Sequence, residues 1–416
     1  MKISNQRNAV LLSLLAVYSA MIFMFNGEEN KVKYVYAAYT LLVLYLLLYT
    51  FQGKRGLLEF STPCKFMLAY LIFGAASMIW SPMRSETLNR LIAFTLLFGL
   101  CVLINNYHDK EAISSYMITA IIIGGFCEAV YCIYYYGFNT FISFITSGVR
   151  FNDYTINNVN TLSNTLVIAV VTTVAVILFE RKYWLLCLLL PEVFSLLAFS
   201  SRTAFIALIV SVIIILVKYR QLNRAKRYPE YYFVCFIIAA ALIFVAFRIS
   251  TGEAAILSRF DTLFSFLRGN GEGAANSLSS RSDYIKLGFQ EFFEYPVGGR
   301  GFGCAGYILQ TVYGRSTYLH NNYVEILASG GIIGFVLYYG CYFYLLKRHI
   351  QIIRRSVSLI TLISFATLCC EMITQIGIVT YYSKVTWLVM ALWFVAANNF
   401  GCLYTPAGDR RLRNHG

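Results

Sequence analysis

At 416 residues, 58% of them hydrophobic and 13% charged, the chain carries far less charge than the roughly 25% usual in soluble domains, which excludes an ordinary water-soluble fold. The formal net charge of +14 would suggest nucleic acid in a soluble protein, but here the basic residues sit in short loops between apolar blocks, so no nucleic-acid partner is expected. Many blocks approach the roughly 20 residues a helix needs to cross hydrocarbon and none alternates, which excludes a β-barrel and predicts an all-α polytopic membrane protein.

Taken in chain order, Asn8 to Phe25 follows a basic start and resembles a signal peptide, yet no small-x-small cleavage site follows and more spans come at once, so it is read as the first span. The next blocks lie near 32–51, 66–81, 88–105, 113–136, 161–179, 184–199, 203–217 and 232–249, and the last three near 326–346, 357–376 and 385–400. That makes about 12 transmembrane helices. With a cytoplasmic N-terminus, the inside loops carry Lys54 and Arg55, Arg181 and Lys182, Lys218 to Arg227, and Lys347 to Arg355, as the positive-inside rule requires. The expected organisation is nine spans in 1–249, an extracytoplasmic cap in 250–325, three spans in 326–400, and a cytoplasmic tail in 401–416. Most of the 11 cysteines fall within apolar blocks, where they act as small hydrophobes. No C-x-x-C pair occurs, so neither a disulfide framework nor a zinc site is expected.

The 250–325 connection is far longer than the usual loop. Within it "SRSDYIKLGFQEFFEYP" has helical periodicity, with Tyr284, Ile285, Leu287, Phe289, Phe292 and Phe293 on an apolar side, followed by Pro296 and "GGRGFG". Arg268 to Ser277 reads as its flexible part. "GGRGFG" is no nucleotide fingerprint, since no strand-helix unit surrounds it. Gly330 and Gly334 form a small-x-x-x-small pair suited to helix packing.

Chemistry concentrates at one place. His320, Asn321 and Asn322 open the tenth span, where an Asn suits the N-cap and the helix dipole favours an anion. Arg202 in the tight "SSRT" turn, Arg281 at the start of the loop helix and Arg300 in the glycine-rich turn can reach the same layer, and guanidinium forks suit a pyrophosphate. Each residue also has a plainer reading: Arg202 as an interfacial snorkelling side chain, Arg281 as an ion-pair partner of Asp283 or Glu291, and His320 as a packing or capping residue.

The order "SSRTAF", then "SSRSDYIKLGFQEFFEYPVGGRGFG", then "HNNYVEILASGGIIGFVLYY" resembles the O-antigen ligase and polymerase family of bacterial membrane glycosyltransferases. The resemblance implies a GT-C-like helical fold in the cytoplasmic (inner) membrane with the active site on its extracytoplasmic face. It implies an undecaprenyl-pyrophosphate-linked glycan as donor, with a lipid-linked glycan or a lipid A core as acceptor. Membrane lipids and a chain-length regulator are further candidate partners. By motif position Arg202 and Arg281, with Arg300 beside them, would hold pyrophosphate and His320 would help activate the acceptor hydroxyl, with Asn321 and Asn322 in support. A neutral imidazole accepts a proton at neutral pH, and fixed arginines stabilise the departing charge without a metal or cofactor. Some ligases of that family carry a longer histidine-containing pattern here, whereas "STYLHNNYVEI" holds one histidine and so resembles more the members that polymerise O-antigen or capsule repeat units. The rival from another class is a lipid-linked oligosaccharide flippase, for which Glu128, Glu192 and Glu371 within the spans are the candidate path.

Overall fold

The computed structural model describes residues 2–25, 29–52, 58–147, 156–199, 201–222 and 275–398. The α-helices among them are α1 Lys2–Met24, α2 Val32–Gln52, α3 Thr62–Ser77, α4 Arg84–Asn106, α5 Lys110–Tyr136, α6 Phe138–Ser147 and α7 Val159–Glu180. They continue with α8 Leu186–Phe199, α9 Arg202–Leu222, α10 Ala275–Glu294, α11 Ala305–Tyr313, α12 Asn322–Arg355, α13 Leu359–Thr374 and α14 Lys384–Asn398. No strand occurs among the described residues. Seven of these helices, α1, α2, α4, α5, α7, α9 and α12, are long and apolar enough to cross a membrane, and α8, α13 and α14 are shorter and also apolar. The chain is an all-α, multi-pass membrane protein. Every expected span falls on a helix except that at 232–249, which lies outside the described residues; the short α6 was not expected.

Local sequence sets the helix starts. Asp109 caps α5 by accepting from the Ala112 N–H at 2.9 Å, and Asn158 caps α7 through the Asn160 N–H at 2.9 Å. Ser358 and Thr361 form a reciprocal capping box on α13, which satisfies N–H groups that a helix start leaves over. Asn321 caps α12, its Oδ1 accepting from the Val324 N–H at 3.1 Å.

The central helix is α7, largely apolar and buried from Leu162 to Phe179, as a helix apolar on all sides must be. It packs against α5, α8, α9 and α13, and its few polar side chains hold the intramembrane acids. Thr165 Oγ1 donates to Glu128 on α5 at 2.7 Å, Thr173 Oγ1 to Glu192 on α8 at 3.4 Å, and Asn164 Nδ2 to Glu371 on α13 at 3.4 Å. Glu371 also accepts from Thr386 of α14 at 3.0 Å. All three carboxyls are buried and bind helices to helices, since a buried polar group needs a partner.

The long α12 is broken at Gly331, whose φ of 57° and ψ of −160° interrupt it. A break strands carbonyls before it and N–H groups after it. The turn from Pro296 to Gly301 supplies the missing partners. The Arg300 and Gly301 N–H groups donate to the Ala328 and Ser329 carbonyls at 2.9 and 3.0 Å, and the Ile332 and Ile333 N–H groups donate to the Pro296 and Val297 carbonyls at 2.8 and 3.2 Å. The glycine-rich motif is therefore an insert that repairs a helix. Gly299, at φ 65°, lies so close that a Cβ there would meet the backbone of Ser329 and Gly330. On the other side the turn docks on the α3–α4 corner: the Phe302 N–H donates to Ser77 Oγ at 3.0 Å, and Thr87 Oγ1 donates to the Phe302 carbonyl at 2.9 Å.

Candidate functional site

His320 stands immediately before the α12 cap in a left-handed backbone conformation, with φ of 56°. Apart from Arg181 it is the one non-glycine residue at positive φ among the described residues, a conformation uncommon for a residue with a Cβ. Its neighbours hold it there. The Leu319 N–H before it donates to Glu325 Oε2 at 2.9 Å, and Asn321 after it reaches across to donate through Nδ2 to the Ile376 carbonyl at 3.1 Å. The half-buried imidazole lies nearly parallel to the Tyr284 ring of α10 (6.0 Å between centroids, 11°) and tilted against Tyr318 (4.2 Å, 50°). Asn158 Nδ2, at the start of α7, donates to the Tyr318 hydroxyl at 3.0 Å.

These contacts bring the three motif segments together. Arg281 precedes Tyr284 by three residues on α10, hence lies on the same face of that helix, and is half-buried. Arg202 opens α9; beside it Thr203 fills the space over Gly377, the residue after the carbonyl that Asn321 holds. Ser201 Oγ donates to Asn160 Oδ1 at 3.1 Å. The elements that carry Arg202 and Arg281 thus adjoin the His320 region, α10 directly through Tyr284 and α9 by way of Thr203 and the 376–377 backbone that Asn321 holds. Helix α10 begins at Ala275, so Arg281 sits nearly two turns inside it and not at its start, and residues 275–277 are helical where a flexible stretch was expected.

Two other candidates have structural partners. Arg300 is bound through Nε to Glu291 at 3.5 Å and through a terminal nitrogen to Glu294 at 3.6 Å, and its guanidinium covers the Tyr295 ring at 4.5 Å. Burial pushes the Glu291 carboxyl above its ordinary range, and Arg300 opposes that shift. Asp283, the other acid considered for Arg281, pairs with Lys286 at 3.7 Å. Asn322 is completely buried: its Nδ2 donates to Tyr339 at 2.8 Å and its Oδ1 accepts from the Thr380 and Tyr381 N–H groups at 3.0 and 3.2 Å. It clamps the α13–α14 connection to the start of α12.

Arg90 was missed. It lies on α4 with Nε on Glu86 at 3.2 Å and its guanidinium over Tyr382 at 4.4 Å, and it acts electrostatically on Glu325. An arginine two residues inside a predicted span is the signal that could have found it, because such a charge needs a partner or a function. Among the described residues no group of three or more His, Cys, Asp and Glu side chains is gathered to hold a metal ion.

Residues 185–339 match a family model described as O-antigen ligase, a stretch that includes Arg202, Arg281, Arg300, His320, Asn321 and Asn322. No curated protein matches the chain. That stretch of the chain is similar to the O-antigen ligase family, whose members act in polysaccharide biosynthesis as glycosyltransferase-type enzymes.

Proposed function

We propose that this protein, like the family that residues 185–339 resemble, transfers a glycan from undecaprenyl pyrophosphate to an acceptor hydroxyl on the extracytoplasmic face of the bacterial inner membrane, and that it polymerises O-antigen or capsule repeat units. His320 takes the acceptor O–H proton as the oxygen bonds to the anomeric carbon. The bond from that carbon to the pyrophosphate oxygen breaks with its electron pair, and Arg202 and Arg281 stabilise the charge that leaves on the lipid pyrophosphate. Arg300 acts from behind, fixing α10 to the turn that repairs α12. The observation that carries this reading is the left-handed His320 held against Tyr284, one helical turn from Arg281. A positive φ, uncommon for a residue with a Cβ, is a reason to look for function, because strain persists where it is used.

The orientation is supported by the charge distribution. Arg181, Lys182, Lys218, Arg220, Arg348, Arg354 and Arg355 lie at the end of the bundle opposite His320, and the positive-inside rule makes that end cytoplasmic. Glu128, Glu192 and Glu371 are each held by a hydrogen bond from α7 in separate interhelical contacts, and although Glu128 Oε2 and Glu192 Oε1 have no partner among the described residues, this dispersal favours the transferase over the flippase. A ligase that joins the glycan to a lipid A core remains the alternative, since donor chemistry is common to both.

The test is incubation of purified protein with a synthetic undecaprenyl-pyrophosphate oligosaccharide. A ladder of longer lipid-linked products is expected, whereas transfer only to a supplied core acceptor would make the enzyme a ligase. His320→Ala should still bind donor and yet transfer at least about 100-fold more slowly, within the range for a lost acid or base. Near-normal turnover would make the histidine structural.

A further inference from the structure

Beside the repaired break in α12, a cleft of about 520 Å³ lies between the segment after α3 and the turn that follows α10. Trp80, Pro82 and Tyr295 line it together with the Pro296–Gly299 backbone and Arg300. That volume is within the range of about 300–1,000 Å³ usual for small-ligand sites. The cleft is preformed. Trp80 donates from Nε1 to the Gly299 carbonyl at 3.2 Å, a Cβ on Gly298 would come within 3.2 Å of its indole, and backbone bonds to α12 hold the turn from the other side. Both rings are nevertheless open to a ligand, Trp80 being 43% and Tyr295 37% exposed.

Charge, and the order of residues along α10, select the occupant. Among the described residues that line the cleft only Arg300 is charged, and it is already shared by Glu291 and Glu294. Two carboxylates for one guanidinium disfavour an anionic ligand. Sugar hydroxyls can donate to the carboxylates and accept from the guanidinium, and the apolar C–H face of a sugar ring can stack on indole and phenol. Arg281, Tyr284 and Tyr295 follow one another along α10 and the residue after it, Tyr295 lying about 16 Å beyond Tyr284 at a rise of 1.5 Å per residue. A donor whose pyrophosphate meets Arg281 has its breaking bond at His320, stacked on Tyr284, and its sugar chain continues toward Tyr295. The geometry points to a subsite in this cleft for neutral sugars of the donor glycan, several units from the bond that breaks. It rests on the transferase reading above and adds the place where the length and identity of the repeat unit are read.

The probe is the oligosaccharide of the synthetic donor, released from its lipid pyrophosphate by mild acid and titrated into the full-length protein in detergent, with binding read by saturation-transfer NMR. The wild type should bind it. Trp80→Ala and Tyr295→Ala should each weaken binding about tenfold, as the loss of one stacking ring implies, and Trp80→Phe should retain it. Val297→Trp fills the cleft from an exposed position without removing a ring or a charge, and should abolish binding. In the transfer assay Trp80→Ala should raise the KM of a donor carrying several repeat units about tenfold at unchanged kcat, and should leave the KM of a donor carrying a single sugar as it was. Thermal unfolding of each variant checks that the fold survives. No binding to the wild type, or binding that Val297→Trp leaves intact, overturns the subsite. Trp and Tyr also anchor proteins at the membrane surface, so loss of oligosaccharide binding on transfer from detergent to phosphatidylethanolamine nanodiscs would assign both rings to the lipid interface and overturn it as well. Oligosaccharide bound in the cleft of an enzyme that transfers no sugar would leave the subsite standing and refute the transferase reading instead.

Discussion

The conformation of His320 separates its structural role from its chemical one. Alanine and glycine both delete the imidazole, but alanine keeps the strain of φ 56° and glycine does not. His320→Gly should therefore be about 1 kcal/mol more stable than His320→Ala, the usual size of a Gly/Ala difference at positive φ, while both transfer equally slowly. Equal stabilities, measured by chemical unfolding in detergent, would show that the loop relaxes when the ring is removed. The arginines divide in a similar way. Arg202→Lys and Arg281→Lys keep the charge but lose the fork, so each should lower turnover strongly at unchanged expression. Arg300→Lys, whose guanidinium is stacked on Tyr295 and shared by Glu291 and Glu294, should lower thermal stability and affect turnover less. Wild-type rates for the first two would remove them from the site. Asn322→Ala should leave the buried Thr380 and Tyr381 N–H groups without their acceptor, at about 1–3 kcal/mol each, and so should cost more stability than Asn321→Ala, where about 1 kcal/mol of capping is lost.

Among the elements, the junction between the Pro296–Gly301 turn and the broken α12 makes a sharp demand on glycine. Gly299→Ala and Gly331→Ala each add a Cβ that meets backbone, at φ of 65° and 57°, and backbone cannot move aside as a side-chain tip does. Each should destabilise by about 3 kcal/mol or more, among the larger effects of a point mutation. Gly314→Ala is the control: its φ is 68° but nothing lies within 4 Å, so only the conformational cost of about 1 kcal/mol applies. If the three variants melted alike, the close approach would not matter. This junction also shows where sequence reading stopped. Apolar block length located the spans, and the Asn before a span located the cap on α12, because those signals are local. The break in α12 is a match between Pro296–Gly301 and Ala328–Ile333, two segments that each look ordinary alone. Gly330 and Gly334 were read as a packing pair, and both do face Phe73 of α3, whereas Gly331 between them has the unusual backbone. Likewise Arg90 gains meaning only from Tyr382 and Glu325, each more than 200 residues away in the chain.

For the whole molecule, the described residues place the basic loops and His320 at opposite ends of one bundle, so a single fact about sidedness fixes the location of the chemistry. Membrane insertion retains short basic loops on the cytoplasmic side. Lys182 and Lys286, 51% and 71% exposed in their side chains, mark the two ends and can each be replaced by cysteine in a variant otherwise without cysteines. In cells with a permeabilised outer barrier, a membrane-impermeant thiol reagent should label position 286 and spare position 182 until the inner membrane is broken. The reverse pattern would put His320 in the cytoplasm. There an undecaprenyl-linked repeat unit would meet the site before export, and the enzyme could not extend chains on the outer face. Labelling at both positions in intact inner membranes would indicate mixed insertion. The abundance of basic residues at one end, with Arg354 and Arg355 ending α12, makes the expected outcome position 286 alone.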